Sequence, residues 1–151
     1  MSEAQKQEAD KANSMQLIDA ELKKNEVQRA FWIALNEGNY DLVKWTCSKL
    51  TPDQVVGKVD QLVLLSLTQQ LGVNIGEDVQ TNLSWLQQCV IGLDPQNVQI
   101  NQHMPSVFET VMKALDKNSA TYVSTDHPLR AQYQLVQHLF KSTATILSQK
   151  R

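Results

Sequence analysis

The stretch from Val27 to Leu50, VQRAFWIALNEGNYDLVKWTCSKL, limits the possible folds of this chain more than any other. Val27, Ala30, Phe31, Ala34 and Leu35 recur at helical spacing and lay one apolar stripe along a short helix. Gly38 is placed to take the left-handed position that ends it, and Asn39 can cap the next helix. Leu42, Val43, Thr46, Cys47 and Leu50 then repeat the spacing. So short a loop forces antiparallel neighbours, so the two stripes face each other, and Ala30 and Ala34 let the backbones come close. Stacked units of this kind build helical solenoids, which present surfaces more often than they carry chemistry.

The remaining segments follow the same grammar. Residues 1–13 are charged and nearly free of large apolar groups, so they read as a flexible polar extension, as if cut from a longer helical region. Met15, Leu17, Ile18 and Leu22 supply a first apolar turn or two, with Ser14 as a possible cap and Asn25 as an interruption. Thr51-Pro52-Asp53 reads as a cap followed by proline at the first helical position, opening a short helix that ends by Gly57. Asp60 caps the greasiest segment, Leu62 to Leu71, whose apolar residues run most of the way round and predict a central, nearly buried helix. Val79, Leu83, Leu86, Val90 and Leu93 form another stripe, with Trp85 and Cys89 beside it, stopped by Gly92 and Asp94-Pro95. After a loop over residues 95–101, a helix is expected from near Asn101, buried through Val107, Phe108, Val111, Met112 and Leu115. A last long stripe, Leu129 to Leu147, is capped by Thr125 or Asp126 with Pro128 in its first turn. Almost every glycine and proline falls at a boundary, and no segment alternates with period two. The expected fold is all-α, about seven helices in stacked antiparallel pairs, with residues 14–151 as one interaction domain.

Composition agrees and narrows the function classes. Aromatic residues at 6% and five glycines argue against a sheet-rich fold. The net charge of −2 lacks the basic surface that a sequence-independent grip on nucleic acid requires. Residues 1–105 carry 8 basic and 13 acidic side chains and residues 106–151 carry 6 and 3, so the C-terminal part is mildly positive. No long apolar run predicts a membrane span. Cys47 and Cys89 lie on or beside apolar stripes and read as buried, reduced thiols; no Cys/His cluster suggests a metal.

Ala30-Phe31, Ala34-Leu35, Leu42-Val43, Cys47, Pro52 with Gln54-Val55, the Leu64-Leu65-Ser66-Leu67-x-Gln69-Gln70-Leu71 string, Leu83-x-Trp85-Leu86 and Leu93-Asp94 occur in that order. Together they resemble the C-terminal domain of the enhancer-of-mRNA-decapping scaffold family, over about Leu17 to Leu147. Beyond residue 105 the resemblance thins to helix periodicity and His103-Met104. It implies an armadillo/HEAT-like helical domain at the end of a large scaffold that begins with a WD40 propeller and continues through a low-complexity and helical linker. It further implies self-association, contact with the proteins of the decapping enzyme complex, and a cytoplasmic location in processing bodies. The other reading is a generic helical-repeat adaptor from another cytoplasmic pathway, with the same fold.

No motif for chemistry emerges. Ser66 lacks a GxSxG frame and reads as a hydroxyl bonding back to a helix carbonyl. His103, His127 and His138 show no HExxH spacing, and GVNIGED has neither a preceding strand nor a GK[ST] ending. An enzyme is not expected, nor is any cofactor or metal. The candidate protein-interaction residues are Arg29, Trp32, Lys44, Gln69, Gln70 and Arg130. Trp32, like Trp45, lies at the edge of its stripe, placed either to pack at the margin of the core or, partly exposed, to anchor an interface. Gln69 and Gln70 are polar at the end of a buried helix, fit to face a partner or to cap neighbouring carbonyls. The three cations sit on helices whose other faces are apolar.

Overall fold

A computed structural model describes residues 2–124 and 126–149. The expected cap at Thr125 lies outside them. The described residues form eight helices and no strand: α1 (Glu3–Lys23), α2 (Val27–Asn36), α3 (Tyr40–Cys47), α4 (Pro52–Val56), α5 (Gln61–Val73), α6 (Val79–Gly92), α7 (Met104–Tyr122) and α8 (Arg130–Gln149).

The helix pair that the sequence singles out closes as its residues dictate. Gly38 holds φ +67°, which a side chain would strain, and the Asp41 N–H donates to the Asn39 side chain at 2.9 Å. Asn25, at φ 62°, makes the corresponding break between α1 and α2. The pairs α2–α3, α5–α6 and α7–α8 then stack, with α1 against α2 and the short α4 against α6. In one layer α2, α5 and α7 touch in succession; in the other α8 packs on α6. Their shared core holds Phe31, Leu64, Leu67, Leu83, Leu86, Phe108, Tyr133 and Phe140, all fully buried.

Two glutamines index one unit on the next. At the start of α2, Gln28 donates through Nε2 to the Asp60 carboxylate and accepts the Asp60 N–H through Oε1, both at 2.8 Å. At the start of α5, Gln61 donates to the Gly92 carbonyl at 3.0 Å and accepts the Asp94 N–H at 2.7 Å. An amide can do this because it carries donor and acceptor side by side. At the opposite edge Asn82 donates to the Tyr40 hydroxyl at 2.9 Å and to the Asn74 carbonyl at 3.0 Å, tying α3 to the α5–α6 loop.

Several details depart from expectation, each for a local reason. Ser14 is no cap: α1 begins after Ser2, runs unbroken through it, and buries its small side chain one turn before Ile18. The same helix takes in residues 3–13, whose side chains are exposed apart from half-buried Lys11. Leu17 is 58% exposed, because Ile18 and Ser14 already set the buried direction. A run of turns after Asp94, in which the Ile100 N–H donates to the Asn97 carbonyl, buries Ile100 and delays α7 to Met104. The last helix starts at Arg130, with Pro128 in the turn before it. There the Leu129 N–H donates to His127 Nδ1 at 3.1 Å.

Candidate functional site

The α2–α5–α7 layer presents its outer side to solvent, and α5 is its middle ridge. Leu62, Ser66, Gln69 and Val73 are the exposed positions of α5, at successive helical turns. A groove of about 270 Å³ runs between α2 and α5, lined by Trp32, Leu35, Asn36, Leu62, Val63, Ser66, Gln69 and Gln70. Its companion of about 310 Å³ lies between α5 and α7, where Leu62, Leu65, Ser66 and Gln69 face His103, Ser106 and Val107. Both grooves share the ridge of Leu62, Ser66 and Gln69.

Trp32 dominates this surface. It is 59% exposed and Leu62 is 44% exposed, whereas Trp85 is 3% exposed against Phe31 and Trp45 is half-buried beneath the Lys49 ammonium. An indole left in water beside a groove of mixed polar and apolar lining is a common anchor of a protein contact. The groove walls are also almost without ionisable groups. Residues 61–76 contain none, and His103 is the single ionisable side chain lining the grooves.

Three of the six sequence candidates come together here. Trp32, Gln69 and Gln70 line one groove, and Arg29 sits one turn before Trp32, its Nε 3.8 Å from the Glu21 carboxylate. Lys44 is half-buried on α3 and Arg130 is exposed at the start of α8; neither lines the grooves. Leu62, Ser66, Asn36, His103 and Ser106 were not anticipated. For α5 the signal was partial, since Ser66 and Gln69 are polar and mark its outer side whereas Thr68, also polar, is buried. Ser66 does not bond back to a carbonyl. Thr46 and Thr68 do, donating to Leu42 and Leu64 at 2.8 and 2.7 Å, and both are buried.

A larger cleft of about 630 Å³ lies at the other edge, but its walls bring four carboxylates, Asp10, Glu37, Asp41 and Glu77, against one ammonium, Lys11. Such a cleft is solvated rather than primed to exclude water, and size alone does not favour it. Among the described residues no three His, Cys, Asp or Glu side chains are placed to hold a metal. His138 Nε2 lies 3.4 Å from Ser142 Oγ on the open side of α8, and among the described residues no carboxylate orients the ring. The thiols are inert in place. Burial raises Cys89 to about 12 and pushes Cys47 up as well. No helix among the described residues is long and apolar enough to cross a membrane.

Comparison with known proteins adds a family to this geometry. A family model described as "Enhancer of mRNA-decapping protein 4, C-terminal" matches residues 18–139. Among curated proteins, the human enhancer of mRNA-decapping protein 4 is 34% identical over 112 residues, covering 72% of this chain and 8% of the relative. The Xenopus laevis protein of that name is 31% identical over 98 residues, covering 62% of this chain and 7% of the relative. The Danio rerio one is 31% identical over 112 residues, 72% of this chain and 8% of its own length. The chain thus spans less than a tenth of these relatives. No solved structure matches it.

Proposed function

This chain belongs to the enhancer of mRNA-decapping protein 4 C-terminal family, and from that membership we propose that it is a non-catalytic docking domain of an mRNA-decapping scaffold. In this reading residues 14–151 form the interaction unit. It contacts proteins of the decapping enzyme complex, supports self-association, and brings the scaffold to cytoplasmic processing bodies without binding nucleic acid itself.

The observation that carries the reading is the placement of Trp32. A solvent-exposed indole lining one of two adjoining shallow grooves, whose walls hold no Lys, Arg, Asp or Glu, is suited to bury apolar area against protein. Phosphate recognition would need clustered cations there, and the groove walls contain none. The overall charge of −2 supports the same choice.

The test is to express the whole chain as a fluorescent fusion in cells with marked processing bodies. Enrichment in those bodies is expected, with Trp32→Ala and Leu62→Asp leaving a folded but diffuse fusion. Uniform distribution of the unsubstituted, folded fusion would overturn the recruitment reading.

A further inference from the structure

We infer that the α2–α5–α7 face takes an extended, uncharged segment in the polyproline-II conformation, with apolar side chains three residues apart seated in the two grooves. The inference rests on the docking role proposed above and specifies its partner.

Geometry sets the spacing. The grooves flank α5, so their floors are separated by about one helix-to-helix distance, roughly 8–10 Å. A polyproline-II chain rises about 3.1 Å per residue with three residues per turn, so residues i and i+3 project on one side about 9 Å apart. A β-strand alternates sides, and its same-side neighbours stand about 7 or 13 Å apart, out of step with the grooves. At about 270 and 310 Å³, each groove accepts a side chain or two rather than a small-molecule ligand.

Chemistry sets the character of the segment. A charged side chain entering either groove would lose water and find no Lys, Arg, Asp or Glu in the walls to pair with, so the complementary partner is neutral. Among the described residues, the side-chain amides of Asn36, Gln69 and Gln70 make no hydrogen bond within the protein, while Gln28 clasps Asp60 through its carboxylate and N–H and Gln61 clasps the backbone of Gly92 and Asp94. Free amides beside a groove suit a chain whose peptide groups are themselves unpaired, which describes polyproline II. A docking helix, including one from a second copy of this chain, arrives with its peptide groups already paired. Trp32 adds the flat aromatic wall against which proline-rich chains pack.

The probe is a short fluorescein-labelled proline host peptide carrying two leucines three positions apart, titrated against the whole chain by anisotropy. Two controls place the leucines two apart or replace one by glutamate. Saturable binding is expected, weaker by about tenfold or more for both controls and for Trp32→Ala and Gln69→Ala, whose melting is first checked against the parent. Equal affinity for all three peptides, indifference to both substitutions, or no saturable binding each overturns the inference. So does a concentration-dependent dimer dispersed by Leu62→Asp, which would assign the face to a second copy. If the peptide fails while the fusion still enters processing bodies, this inference falls and the docking role stands. If the peptide binds while the fusion stays diffuse, the recruitment reading falls instead.

Discussion

Asn82 shows how much a single polar side chain can organise in a helical stack. It is buried at the start of α6, and both protons of its amide are used, on the Tyr40 hydroxyl and the Asn74 carbonyl. A polar group without such partners would cost about 1–3 kcal/mol at this depth. The Tyr40 hydroxyl is held protonated by burial above its ordinary value of 10.0, although its bond to Asn82 opposes that shift. The two thiols follow the same logic with a measurable result. In an unfolded chain both ionise near 9.0, but in the fold burial holds their protons, to about 12 for Cys89. Between those limits the unfolded chain binds fewer protons, so stability is undiminished below pH 9 and falls as pH rises above it. Urea unfolding at stepped alkaline pH should show that decline. Cys89→Val should make it shallower, with Cys47 keeping its share, and the native thiols should resist a disulfide reagent that labels both in urea. That these cysteines are buried was legible from their stripes.

At the scale of the helix, close approach matters more than propensity. A Cβ on Gly72 would stand 2.6 Å from Val111 Cγ2, so α5 and α7 touch there through a missing side chain. Gly72→Ala should therefore cost about 1–3 kcal/mol in chemical denaturation, as overpacking does. Gly57→Ala, where nothing lies within 4 Å, should be neutral or slightly stabilising. Sequence periodicity located both glycines at helix ends but could not tell a spacer from a stop, because that depends on which helix lies opposite. The α2–α3 pair was legible almost residue by residue, since Gly38 and Asn39 carry their turn chemistry locally. The outer side of α5 was less so. A run such as LVLLSLTQQLGV has apolar groups in nearly every direction, and only the neighbours decide that Leu62 and Val73 stay in water.

Over the whole molecule, the stack is held at two edges by amides and in the middle by apolar packing. Gln28 reaches a partner 32 residues on, and Gln61 reaches one 33 residues on, each reading the backbone where the next unit begins or ends. That near-equal stride was present in the sequence but invisible as a pattern, because glutamine at a helix start gives no periodic signal of its own. All-helical architecture was legible from the boundaries; which layer leaves grooves open to solvent was not, as it follows from stacking order.

The three tryptophans also give the protein an optical readout of its own. Their settings are graded, with Trp32 largely in water, Trp45 half-covered beside Lys49 and Trp85 sealed against Phe31. Native emission is therefore a sum of red-shifted, intermediate and blue-shifted components. Iodide should quench mainly the reddest of them, an occupied face should shield it, and melting should shift the bluest instead. One cuvette and no added dye can then tell a covered surface from a loosened core.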